Sequence, residues 1–117
     1  MYDKILDEAA DYLEFGPGWR QGGVGRQGRR MCALGAVGAH VPAGDLSIYH
    51  ELVKRLVVAA GGTSWSGNVH FQMYFHVLHA GMLADWNDQE GRTKEEVIDL
   101  FRTTAKRIRE EASHATS

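Results

Sequence analysis

The stretch Arg29-Arg30-Met31-Cys32-Ala33-Leu34-Gly35-Ala36-Val37-Gly38 decides how this chain is read. Met31 to about His40 reads as a short helix, closed by Val41-Pro42. Glycine in a helix interior costs about 1 kcal/mol relative to alanine. Gly35 and Gly38 therefore make sense where a neighbouring backbone presses close, which puts this helix in the core. The stretch also holds the only cysteine, in the first turn of the expected helix.

Upstream, residues 3–15 form an amphipathic helix in which Ile5, Leu6, Ala9, Ala10 and Leu13 recur at helical spacing. Asp3 is its expected N-cap and Gly16-Pro17-Gly18 its stop. Trp19 follows, and then Arg20 to Arg30 carries four glycines without apolar periodicity, which predicts a mobile loop.

Downstream, Asp45 or Ser47 caps a third helix running to Ala60, with Tyr49, Leu52, Val53, Leu56 and Val57 on its apolar stripe and Gly61-Gly62 as terminator. Thr63 to Gly67 is a polar turn carrying Trp65. Asn68 to about Trp86 is apolar on most sides, with Gln72, His76 and His79 as its polar strip, which predicts a helix in the middle of a bundle. Thr93-Lys94-Glu95-Glu96 is a capping box, and Val97, Phe101, Thr104, Ala105 and Ile108 face inward behind it. No strand signal is found. The expected fold is all-α: one domain, residues 1–117, a compact bundle of about five helices around a central helix at about 68–86. Residues 112–117 are expected to fray.

A chain of 117 residues can bury roughly two-thirds of its unfolded surface without metals or disulfides. Its 44% hydrophobic and 24% charged residues suit a soluble globular protein. No segment approaches the ~20 apolar residues of a membrane span, and residues 1–15 are acidic rather than leader-like. A single cysteine forms no internal disulfide and fits a reducing compartment. The expectation is a cytoplasmic protein without membrane contact or cofactor.

The net charge of −2 hides an asymmetry. Residues 1–15 hold Asp3, Asp7, Glu8, Asp11 and Glu14 against Lys4, whereas residues 16–42 hold Arg20, Arg26, Arg29 and Arg30 and no acid. Either the loop meets an anionic partner, or helix and loop neutralise one another; the second reading is the plainer one.

Three constellations carry chemical possibilities. Cys32, after two arginines at a helix start, has surroundings that favour a thiolate. His76 (or His70 or His79) would be its base, and Asn87 or Asp88 would orient that histidine in a Cys–His–Asn arrangement. The plainer reading of a cysteine among Ala, Leu and Gly is a small buried apolar residue. His76 and His79 are spaced for a metal, with His70 or His50 as a third ligand, but no H-E-x-x-H or paired C-x-x-C accompanies them, and no metal site is assigned. Arg20, Arg26, Arg29 and Arg30 on a glycine-rich loop suit phosphate or nucleic acid. Against nucleic acid stand the acidic total and the lack of interleaved aromatics.

Gly18-Trp19 before the loop, the Arg29-Arg30-x-Cys32-Ala33-Leu34-Gly35-Ala36 block, and Trp86-Asn87-Asp88-x-x-Gly91-Arg92-Thr93-x-x-Glu96-Val97 together form a recognisable set. In these the chain resembles a family of small uncharacterised proteins from actinobacteria and their phages. It departs from that pattern in Met31, which separates the arginines from Cys32. The resemblance implies provenance and no mechanism.

The reading favoured by the sequence is a non-catalytic interaction protein that binds a protein partner, a second copy included, through Trp19, Arg20, Arg26, Arg29, Arg30 and Trp65. A Cys32-dependent hydrolase or transferase is the first alternative, and nucleic-acid binding by the Arg20–Arg30 loop the second.

Overall fold

The computed structural model describes residues 1–62 and 72–115, with side chains described from 77 to 114 in the second span. Five helices follow in order: α1 (Tyr2–Phe15), α2 (Ala33–His40), α3 (Leu46–Ala59), α4 (Gln72–Asp88) and α5 (Lys94–Ala115). The bundle is all-α, and one cluster of buried apolar side chains draws on all five helices.

The most extensive helix pairing is α1 on α5. Helix α1 buries Leu6, Ala9, Ala10 and Leu13 completely, and α5 answers with Val97, Phe101 and Ala105. The small alanines let the two helices approach. Thr104 of α5 is also buried, and its hydroxyl is satisfied by donating to the Leu100 carbonyl at 2.7 Å.

The acidic face of α1 is answered along this seam. Arg102 reaches Asp11 and Glu14 at 2.8 Å each, and Arg109 reaches Asp7 at 2.7 Å and Asp3 at 3.4 Å. Later residues of α5 pair with earlier residues of α1, so the helices run antiparallel. The expectation that the basic loop neutralises α1 is thus corrected: α5 does so, since residues seven apart on one helix face meet acids at helical spacing on the other.

Several helix ends also differ from expectation. Helix α1 begins at Tyr2 with Met1 as N-cap, which places Asp3 inside the first turn, where its charge suits the dipole. Helix α2 begins at Ala33 rather than Met31. Asp45, not Ser47, caps α3, accepting from the Ile48 N–H at 3.1 Å and the Ser47 hydroxyl at 2.8 Å; these bonds, Ser47 first, hold its carboxyl below the ordinary range. Helix α5 continues to Ala115, four residues into the expected frayed tail.

The capping box forms as read. The Thr93 hydroxyl accepts from the Glu96 N–H at 3.2 Å, and Glu96 accepts from the Thr93 N–H at 3.0 Å. The segment expected at the middle, residues 68–86, includes 68–71 outside the described residues. In the described part of α4, Leu83 and Asn87 are buried, whereas Val77 and Leu78 are exposed. That part is a wall against α3 and α2. A count of apolar residues along a helix does not say which of its faces a neighbour covers.

Among the described residues no helix is long and apolar enough to cross a membrane.

Candidate functional site

Asn87, near the C-terminal end of α4, is completely buried and organises the loop before α2. Its carbonyl oxygen accepts from the Trp19 indole N–H at 2.6 Å and from the Ala33 N–H at 2.9 Å. Its amide donates to the Arg20 carbonyl at 3.1 Å and to Asp88 Oδ1 at 3.0 Å. All four hydrogen-bonding positions of the side chain are used. The reverse orientation would set its NH2 against two N–H donors, so the partners fix the assignment. None of this capacity remains for orienting a histidine.

The neighbours of Asn87 complete a clasp. Gln21 donates to the carbonyls of Asn87 at 3.0 Å and Gln89 at 2.9 Å, and Asp88 accepts from the Gly22 N–H at 3.0 Å. Arg92 lies over the Trp86 ring, 4.0 Å from its centroid, donates to the Trp86 carbonyl at 2.9 Å and pairs with Glu96 at 3.0 Å. The Thr93 backbone N–H first, then its hydroxyl and Arg92, hold the Glu96 carboxyl below its ordinary value. The motif Trp86-Asn87-Asp88…Arg92-Thr93…Glu96 is therefore one structural unit that turns α4 into α5 and grips Trp19 to Gly22.

The Arg20–Arg30 loop is tied along its length, where the sequence suggested mobility. Trp19 to Arg20 and Met31 form a short bridge, with Arg20 N–H to the Met31 carbonyl at 3.1 Å and Met31 N–H to the Gly18 carbonyl at 3.0 Å. Cys32 N–H bonds the Val24 carbonyl at 3.2 Å, and the Tyr12 hydroxyl donates to the Arg29 carbonyl. A β-carbon on Gly35 would stand 2.4 Å from the Val24 carbonyl oxygen, so the backbone pressing on α2 is that of the loop. Gly38 is different: its nearest neighbour is the Tyr49 ring at an ordinary 3.6 Å. Gly25, at φ +91°, lies so close to Arg30 and Met31 that only glycine fits.

Cys32 is the N-cap of α2 rather than a residue of its first turn, with its sulfur 3.5 Å from the Gly35 N–H. It is 3% exposed. Burial first, and the neighbouring Cys32 second, push the Tyr49 phenol above its ordinary value of 10.0. The side chain of His76, expected as the base, lies outside the described residues, as do His70 and Trp65; His79 is buried. Among the described residues no three of His, Cys, Asp and Glu gather to hold a metal ion.

Two concave surfaces flank the clasped loop. The first is an apolar groove of about 480 Å³, with Val24, Met31, Leu34, Val41, Leu46 and Tyr49 in its walls. Leu46 and Val24 stand well exposed at 65% and 52%. In the second, Trp19, Arg20, Gln21, Arg29 and Arg30 line a polar concavity of about 630 Å³. Arg55, Arg92, Arg102 and Arg109 are each held by a carboxylate. Arg20, Arg26, Arg29 and Arg30 are exposed and have no acidic partner among the described residues.

Sequence reasoning singled out Trp19, Asn87, Asp88 and the arginines, and the structure brings all but Arg26 together at the clasp or the basic concavity. It missed Gln21 and the groove residues Leu34, Val41 and Leu46. A glutamine in a loop carries no signal of its own, and the groove arises where loop, α2 and the start of α3 meet.

No curated protein and no solved structure matches the chain. The model of a family of unknown function, DUF6197, matches residues 1–107, which includes the loop, α2 and the turn from α4 to α5. The chain belongs to that family, DUF6197, whose function is unknown.

Proposed function

We propose that this chain is a non-catalytic interaction protein of the cytoplasm, of actinobacterial or phage provenance, that holds a partner protein in the groove beside the Arg20–Arg30 loop. The observation that carries this reading is the apolar groove with exposed Val24 and Leu46 in its walls, where buried area would favour an apolar segment. Arg26 stands exposed between Val24 and Gln27, both of which line the groove, and has no acidic partner among the described residues. The fitting occupant is therefore a segment with apolar side chains flanked by Asp or Glu.

The role of Cys32 as a buried cap weighs against the thiol chemistry considered first, because a nucleophile must meet its substrate. A thiol that reacts with a labelling reagent as fast in the folded chain as in urea would revive the enzyme. Nucleic-acid binding by the loop would need further basic side chains, and the pairing of Arg102 and Arg109 with acids of α1 weighs against their serving it.

A random peptide library selected on the whole protein tests the docking. Enriched peptides should carry apolar residues beside acidic ones and lose binding to Leu46→Glu, a change that leaves folding intact because an acid suits the first turn of α3. Peptides that are basic, or indifferent to Leu46→Glu, would sink the reading. Sedimentation of the protein alone supplies the remaining arm: a dimer that Leu46→Glu dissociates makes the partner a second copy of this chain.

A further inference from the structure

The geometry points to a second site that shares no lining residue with the groove: the concavity lined by Trp19, Arg20, Gln21, Arg29 and Arg30 takes a small molecule bearing a diphosphate group. This inference goes beyond the docking reading and uses none of the groove residues.

Arg55, Arg92, Arg102 and Arg109 each have a carboxylate partner, whereas these three lie together without one among the described residues. Among the described residues no acid lines the concavity. Three arginine side chains lining one concavity concentrate positive charge there, which attracts an anion. Their backbones are held in advance. Arg20 and Arg30 lie on the two bridged stretches, Arg29 N–H bonds the Arg26 carbonyl at 2.9 Å, and Tyr12 anchors the Arg29 carbonyl. Below them the Asn87 clasp fixes Trp19, the Arg20 carbonyl and Gln21. Little ordering of the backbone is then needed on binding, which favours affinity.

The class of anion follows from the donors. Each guanidinium presents a planar fork that matches two oxygens. A lone carboxylate serves one fork and orthophosphate at most two well, whereas a diphosphate has oxygens enough for three. A volume of about 630 Å³ also leaves room for an organic group attached to it. The nearest acid on the loop's mount, Asp88, is occupied by Gly22 N–H and the Asn87 amide and does not line the concavity.

Calorimetric titration of the whole protein with inorganic pyrophosphate at low salt tests the site. One ion should bind per chain, more tightly than orthophosphate or citrate. Arg20→Gln, Arg29→Gln and Arg30→Gln should each weaken it about tenfold. Lys106→Gln, which removes an exposed cation from α5, should leave binding unchanged. Melting temperatures of the variants without ligand show that each still folds. Absence of binding, or an equal loss in Lys106→Gln, overturns the site. So does duplex DNA binding more tightly than pyrophosphate with a dependence on Arg26 and Arg107, because the ligand would then be nucleic acid spread over a surface.

Discussion

The seam between α1 and α5 and the loop between Trp19 and Met31 use the same residue, arginine, in opposite ways. In the seam Arg102 lies within reach of three acids of α1 and Arg109 of two, so each arginine has its charge answered within the chain. In the loop Arg20, Arg29 and Arg30 surround a concavity and face no acid among the described residues. The seam is made by regular helices whose register delivers partners automatically. The loop has no register, and a buried amide holds it in place instead. A charge left unmatched on a well-held backbone marks a place where something outside the chain can contribute.

The sharpest way to break this contrast is to remove the holder. Asn87→Ala orphans the indole N–H of Trp19, the Ala33 N–H and the Arg20 carbonyl, so urea unfolding should show a loss of about 3 kcal/mol. A loss below about 1 kcal/mol would mean that the loop's own backbone bonds suffice to hold it. A pair of glycine substitutions sharpens the point on α2. Gly35→Ala drives a methyl into the Val24 carbonyl and should cost about 1–3 kcal/mol. Gly38→Ala meets only the Tyr49 ring at contact distance and should gain about 0.5–1 kcal/mol. Equal effects at the two positions would deny that the loop presses on this helix.

Much of the helical frame was legible in the sequence because it is local. The Ile5–Leu13 stripe, the stripe of α3 and the Thr93–Glu96 box repeat at spacings that a helix alone explains. The clasp was legible as a motif but not as a structure: Asn87 bonds Trp19 and Ala33, 68 and 54 residues away, and nothing near Asn87 announces those partners. The ionic seam had a similar obstacle. Acids at helical spacing on α1 and arginines seven apart on α5 were visible, yet the arginine-rich loop was the more prominent candidate to meet them. The groove belongs to no single segment and had no sequence signature at all.

On the seam's side of the comparison the effects should be smaller. Arg102→Ala should cost about 1 kcal/mol or less, because the guanidinium and its acids are partly hydrated, and the cost should shrink further as salt is added. An unchanged cost in high salt would show that the side chain's stem, not its charge, holds α1. The smallest effect concerns Glu96. Its folded carboxyl titrates below the ordinary 4.5, so its contribution is complete above that pH and is lost as pH falls through the lowered value. Melting curves of wild type and Glu96→Gln should therefore converge in acid, and curves that stay parallel would deny the capping carboxylate its role.

The antiparallel pairing of α1 with α5 also bears on how the molecule is made. Its ion pairs join residues 88 to 106 positions apart in the chain. A ribosome that has released α1 through α4 has therefore produced a helix whose main apolar face still lacks its cover. Closing so wide a span is slow compared with forming helices or short turns. During synthesis the Ile5–Leu13 stripe stays open to chaperones or to the wrong neighbour until the segment around Phe101 emerges, and a truncation before that residue should yield a chain that aggregates rather than a smaller version of this bundle.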